Sequence, residues 1–198
     1  ISLLVRFHNG RKELFRRAYQ SLQEQTYKRW NLVISYETEQ DLNDITEVLE
    51  GEIMYATLIK VTPQPKLGNC FFNLYLNDLK ATLKTGWAII YDTDSYFYLP
   101  ESLEKLSKVL IDPNEIHIIQ FVRKGKNKPS DNQIATQTLK SGHCDSASIV
   151  FYESQSKNIH FDSTENADYK FILQMLNKYP SKWHNLQIIE TDRRSRGK

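Results

Sequence analysis

Apolar positions along the chain change period in a regular order, and that order defines a class of fold. Residues 1–7 are apolar and rich in β-branched side chains, and they stop at His8, Asn9 and Gly10, which favour a turn. A strand running into a loop is predicted. From 11 to 25, Leu14, Phe15, Ala18 and Leu22 recur at helical spacing, with Arg16, Arg17, Gln20 and Gln23 on the other side. Leu32, Val33 and Ile34 form a second buried-type run, followed over 41–50 by Leu42, Ile45, Val48 and Leu49 on one helical face. Residues 56–61 read as a third strand, which Pro63 and Pro65 force into a loop, because proline fixes its own φ and disfavours helix in the residue before it. A stripe of Phe72, Tyr75, Leu76, Leu79 and Leu83 predicts a helix over 70–84, and beyond Gly86 a fourth strand, 87–91, ends at Asp92. A helix over 101–110 entered through Pro100, a fifth strand over 116–122 and a later apolar strand over 147–152 follow. The stretch 123–132, with four cations and a proline, is expected to be a mobile loop.

Such alternation predicts an α/β domain with a central, mostly parallel sheet flanked by helices, since parallel neighbours need crossovers and crossovers are usually helical. Ligands in this class sit beyond the carboxyl ends of the strands. His8-Asn9-Gly10, Tyr36-Glu37 and Asp92-Thr93-Asp94 are therefore expected to line one crevice.

Composition narrows the class further. A length of 198 residues, 40% of them hydrophobic, suits a single domain. With 26 basic and 24 acidic side chains the net charge is only +2, too little for a general field attracting nucleic acid. No apolar run approaches the roughly 20 residues that span a bilayer, so no transmembrane segment is expected. The chain opens on Ile1 rather than Met, and it is read as one module of a longer polypeptide, cytoplasmic or peripheral at a membrane. Cys70 and Cys144 lack a CxxC spacing and no Asn-x-Ser/Thr acceptor occurs, which favours a reducing compartment and two small packed thiols.

Asp92-Thr93-Asp94 is the sharpest chemical feature. In extended backbone, residues i and i+2 project to the same side, so two carboxylates there can share one hard divalent cation and set it against phosphate oxygens. The competing reading is an Asp-rich turn that only ends a strand.

Several segments together resemble the GT-A glycosyltransferases of the family 2 type. They are the opening ISLLVRFHNG, the phrase SLQEQTYKRW before the second strand, and NLYLN in the helix that leads to WAIIYDTDS. The resemblance is good over roughly residues 1–110 and thinner afterwards. It implies a single GT-A-like (nucleotide-diphospho-sugar transferase-like) domain over 1–198, with a nucleotide-binding half, 1–95, and an acceptor-binding half with a basic tail, 96–198. The implied activity is a hexosyltransferase of polysaccharide biosynthesis. It moves sugar from a nucleotide-diphosphate donor to a hydroxyl of a saccharide or lipid-linked saccharide, with Mn²⁺ or Mg²⁺ and inversion of the anomeric centre.

By the same resemblance Asp94 is the direct metal ligand, Asp92 lies nearer the ribose or the sugar while sharing the ion, and His184 is an outlying metal candidate. Phe7, His8, Asn9 and Glu37 map onto the nucleoside contacts. Asp168 maps onto the general base at the start of a late helix, with Phe171, Ile172 and Met175 as its buried stripe. Ala167 stands where relatives carry a further acid, and Glu165 is near enough to compete. Asp168 is also explicable as a favourable charge in a first helical turn. Ser141 to Ser146 resembles the segment bordering acceptor and donor sugar. Arg194 and Arg196, in the tail 192–198, are candidate diphosphate contacts in a lid, against the simpler reading of a solvated tail. Two rival functions stay open: a sugar-phosphate nucleotidyltransferase, for which Asn9-Gly10-Arg11-Lys12 is a faint version of the needed Gly-rich loop, and a nucleotide-sugar binding module without turnover, for which the loss of an acid at 167 is the hint.

Overall fold

A computed structural model describes residues 1–63 and 70–191. Strands β1 (Ser2–Arg6), β2 (Asn31–Tyr36), β3 (Ala56–Lys60) and β4 (Trp87–Ile90) alternate with helices α1 (Lys12–Gln23), α2 (Glu39–Leu49) and α3 (Tyr75–Ala81). Then come β5 (Ser95–Phe97), α4 (Ser102–Val109), β6 (Ile116–Arg123), β7 (Lys126–Lys128), α5 (Asp131–Ala135), β8 (Ile149–Tyr152), α6 (Glu153–Ser156), α7 (Ala167–Lys178) and β9 (Ser181–Thr191). All nine strands belong to one sheet, ordered β3-β2-β1-β4-β8-β6-β9-β5 with β7 paired to β6. The block β3-β2-β1-β4 is wholly parallel, as the helical crossovers require. Beyond β4, antiparallel β8 introduces a mixed half in which β6 and β9 are again parallel.

Alternation along β1 sends Leu3 and Val5 into one core and Leu4 into the other. The first core is closed by Phe15, Ala18 and Leu22 of α1, Ile45 and Val48 of α2, and Leu103 and Leu106 of α4. On the other face Leu76 and Leu79 of α3 and Phe171, Ile172 and Met175 of α7 pack against Val33, Ile90 and Phe151. Each buried Leu, Ile, Val, Phe or Met side chain of this set contributes about 1.5–3 kcal/mol. Helix α2 starts at a reciprocal cap, in which the Thr38 hydroxyl accepts from the Asp41 amide and the Asp41 carboxylate accepts from the Thr38 amide.

Four segments depart from the sequence reading. The helix expected over 70–84 is shorter, because residues Phe71–Leu74 form a 3-10 turn before α3. The stretch 123–132 is a tight hairpin and a capped helix rather than a mobile loop. Lys124 and Gly125 both adopt positive φ, at 52° and 67°, the geometry of a two-residue turn whose twist matches the strands it joins. Strands β5 and β9 do not show in the apolar pattern. The former has three residues, and the latter pairs with β6 through two register irregularities that interrupt its alternation. Among the described residues no helix is long and apolar enough to cross a membrane.

Candidate functional site

The parallel block directs the carboxyl ends of β1, β2 and β4 to one edge, and the loops leaving them meet there. Register pairs Leu4 of β1 with Ile90 of β4, so two residues further on Arg6 and Asp92 are neighbours. Arg6 is buried, and its guanidinium grips Asp92 with both arms: Nε donates to Oδ1 at 2.8 Å and Nη2 donates to Oδ2. Its Nη1 donates to Asn73 Oδ1 at 2.6 Å, and the group lies over the Phe72 ring, 5.3 Å from its centre. Burial works against the Arg6 charge, but the bonded Asp92 carboxylate holds its pKa above the usual arginine value.

Asp92 to Ser95 do not continue the strand. The Ser95 amide donates to the Asp92 carbonyl at 2.9 Å, closing a turn that redirects the chain from β4 into β5. The two acids of the motif are therefore brought together by a turn and not by strand pleating. They also differ: Asp92 is occupied by Arg6, whereas among the described residues no other side chain bonds or ion-pairs with Asp94. Burial first, then the charges of Asp92 and Asp145, push the Asp94 carboxyl up to about 6.

Asp168, in the first turn of α7, faces the same place. Its pKa is pushed up to about 7, by burial first and then by Asp145, with Arg6 acting in the opposite direction. Its Oδ1 is buried without a hydrogen-bond partner among the described residues. Glu165 is exposed and Ala167 is packed into the core, so of the late acids it is Asp168 that feels Asp92, Asp145 and Arg6. Asp145 caps the 3-10 turn before β8, accepts from the Ser146 hydroxyl at 3.1 Å and pairs with Arg123 at 3.4 Å. The Cys144 thiol beside it is pushed up to about 12, by burial first and then by Asp168, so it is a neutral packed group and not a nucleophile.

Glu37 follows β2, where its Oε1 accepts from the Tyr75 hydroxyl at 2.6 Å. Gly10 takes φ of 81° in the turn that exposes Asn9 beyond β1. His8 is half-buried, and burial followed by the Arg11 charge lowers its pKa, so it stays neutral.

Two expected site residues lie elsewhere. Phe7 continues the alternation of Leu3 and Val5 and is a core side chain, edge-on to Phe15 at 5.6 Å, with its amide bonded to the Ser35 carbonyl. Its side chain cannot reach a nucleoside. His184 is not near the aspartates. It pairs with His117 at 2.9 Å, and His117 packs edge-on against Trp87 at the start of β4, the amino end of the strand whose carboxyl end carries Asp92. Arg194 and Arg196 lie outside the described residues.

Arg6 is the site residue that motif reading missed, because its approach to Asp92 depends on the pairing of β1 with β4. Asp145 belongs to the segment 141–146 expected beside the acceptor and donor sugar, but its place next to Asp168 depends on the antiparallel placement of β8.

Asp94 offers hard carboxylate oxygens of the kind a divalent cation takes. Among the described residues no group of three or more His, Cys, Asp or Glu is placed to hold a metal ion.

No protein-family model and no curated protein matches the sequence. Solved structures do match the fold. S. aureus TarS 1-349 in complex with UDP-GlcNAc superposes with a TM-score of 0.72 at 15% identity, over 98% of this chain and 58% of that one. TarS 1-349 by itself gives 0.70 at 14% identity, over 96% and 59%. The mannosyltransferase PcManGT from Pyrobaculum calidifontis, in complex with GDP-Man and Mn²⁺, gives 0.71 at 16% identity, over 99% and 57%. The chain thus spans somewhat over half the length of these neighbours. By these superpositions the fold of this chain is the GT-A fold.

Proposed function

We propose that this domain is a metal-dependent glycosyltransferase that moves a sugar from a nucleoside-diphosphate donor to a hydroxyl of a saccharide or lipid-linked saccharide acceptor, with inversion. The observation that carries the reading is that Asp94, in the turn after β4, and Asp168, in the first turn of α7, both lie within the field of Asp92 and Asp145 and neither has an ion-pair partner among the described residues.

Asp94 would hold Mn²⁺ or Mg²⁺, and the ion supplies charge stabilisation for the departing diphosphate. Asn9 and Glu37 line the nucleoside side, with Glu37 oriented by the Tyr75 hydroxyl so that its second oxygen can accept from a ribose or base. Asp168 accepts the proton of the attacking acceptor hydroxyl. A carboxylate with pKa near 7 is better matched to that work at neutral pH than one at the ordinary value. Asp145, itself tied to Arg123, is the neighbour whose charge raises the Asp168 pKa most after burial.

Calorimetric titration with UDP and GDP, with and without Mn²⁺, tests the donor half of the proposal. Mn²⁺-dependent binding that Asp94→Asn weakens about tenfold or more is expected. Absence of nucleoside-diphosphate binding under both conditions would overturn it. Incubation with donor sugars and saccharide acceptors then reads transfer directly.

A further inference from the structure

The two acids of the Asp92-Thr93-Asp94 turn are treated oppositely by the fold, and one residue makes the difference. Arg6 occupies both oxygens of Asp92 from a buried position on β1, while Asp94, two residues away, keeps its carboxylate uncommitted among the described residues. An ion pair serving stability alone has little to recommend it here, because burying two charges costs about what their attraction returns. Arg6 also does more than pair with one acid. Its third nitrogen donates to Asn73, whose own amide reaches the Thr164 carbonyl at 3.4 Å in the segment leading to α7. One guanidinium thus joins β1, the motif turn and the turn before α3. A lysine, with a single-point ammonium, could not make this set of planar contacts.

We infer that Arg6 is a positioning residue that holds Asp92 away from the divalent cation and leaves Asp94 as the motif's ligand. This rests on the metal-dependent reading above. Two free carboxylates at the turn would chelate a bare cation before any nucleotide arrived. With Asp92 engaged, protein ligation is kept sparse, and the remaining coordination positions are left to the donor's phosphate oxygens.

The test measures Mn²⁺ binding to the full chain by the electron paramagnetic resonance signal of the free ion, alone and with UDP or GDP. Arg6→Lys retains the positive charge but releases at least one Asp92 oxygen, so bare Mn²⁺ is expected to bind about threefold tighter or more. The paired variant Arg6→Gln/Asp92→Asn removes both charges and keeps the local net charge. It is expected to bind Mn²⁺ within about threefold of the unmodified chain. Weaker or unchanged binding in Arg6→Lys would show that Arg6 does not withhold Asp92 from the ion, and a loss of about tenfold or more in the paired variant would make Asp92 itself a ligand; either result overturns the inference. Should Arg6→Lys not fold, the paired variant decides the matter, because it leaves no buried charge unpaired. If the unmodified chain binds no Mn²⁺ with or without UDP or GDP, or if Asp94→Asn changes nothing, the metal-dependent reading fails and this inference fails with it. Binding lost in Asp94→Asn together with a weakened Arg6→Lys removes the Arg6 role alone.

Discussion

The two ends of the sheet each bury titratable side chains, and they handle them in opposite ways. At the amino end His117 is fully buried, bonded to His184 at 2.9 Å and stacked on its ring with centres 5.2 Å apart, while Trp87 closes the other side. Burial, with the neighbouring His184 second, lowers the His117 pKa from the usual 6.5 to about 4. Two neutral aromatic rings result, although His117 Nε2 is buried without a hydrogen-bond partner among the described residues. At the carboxyl end burial acts on acids: Asp94 and Asp168 have no ion-pair partner among the described residues, and each feels the charges of Asp92 and Asp145. The first arrangement is consistent with a group packed for stability. The second retains a destabilising concentration of charge, which folds carry where a cation or a reaction needs it.

The largest effect expected from breaking this contrast is on turnover. Asp168→Asn should lower transfer by about 10²–10⁴-fold while donor affinity stays within about twofold, because a base acts only in the reaction step. Equal losses in both would remove Asp168 from that role. His184→Ala, at the opposite end, should leave the transfer rate of the folded protein within about twofold.

Stability should respond in the reverse order. His117→Ala empties a fully buried aromatic site and should cost about 2–4 kcal/mol, seen by calorimetry as a Tm lower by several degrees. A change below about 0.5 kcal/mol would show that the histidine pair does not hold β6 to β9.

Smaller, and opposite in sign, are the pH responses of the two ends. The folded chain refuses the His117 proton between pH about 4 and 6.5, whereas the unfolded chain binds it, so this contribution to stability is complete above 6.5 and is lost as pH falls toward 4. His117→Phe should flatten the acid limb of a plot of Tm against pH. For Asp168 the folded chain keeps a proton that the unfolded chain gives up, from the usual 3.8 to about 7, so stability is lost as pH rises through that window. Asp168→Asn should therefore raise Tm more at pH 8 than at pH 4. Equal shifts at both pH values would mean that the folded Asp168 titrates like a solvated acid. In the transfer reaction the rate should climb as Asp168 deprotonates through pH about 7, and a rate flat from pH 5 to 8 would count against it.

Much of the parallel half was legible because local and tertiary demands coincide there. The stripe of Phe15, Ala18 and Leu22 could only be one face of a helix, and the apolar run Trp87 to Tyr91 could only be a strand covered on both sides. Within the site, Asp92 and Asp94 stood out where a buried apolar run meets a polar loop, whereas Asp168 was singled out by the family resemblance. Phe7 was misjudged because it follows a strand and precedes a turn, and only the continued alternation of β1 shows that it points into the core. His184 was misjudged because its isolation in sequence carries no direction, and the strand that holds it was itself hidden by the irregular pairing of β9 with β6.

By itself the sequence determined which segments bury a face and hence the alternating order of strands and helices, since periodicity and turn chemistry are properties of neighbours along the chain. It also determined that acids would stand at the end of β4. Only the tertiary structure decided that Arg6 would take one of those acids and leave the other, that Asp145 would stand beside Asp168, and that the histidines would pair at the far edge. Those outcomes depend on which strands become neighbours across tens of residues, and on how deeply each charge is withdrawn from water, neither of which any local stretch of sequence contains.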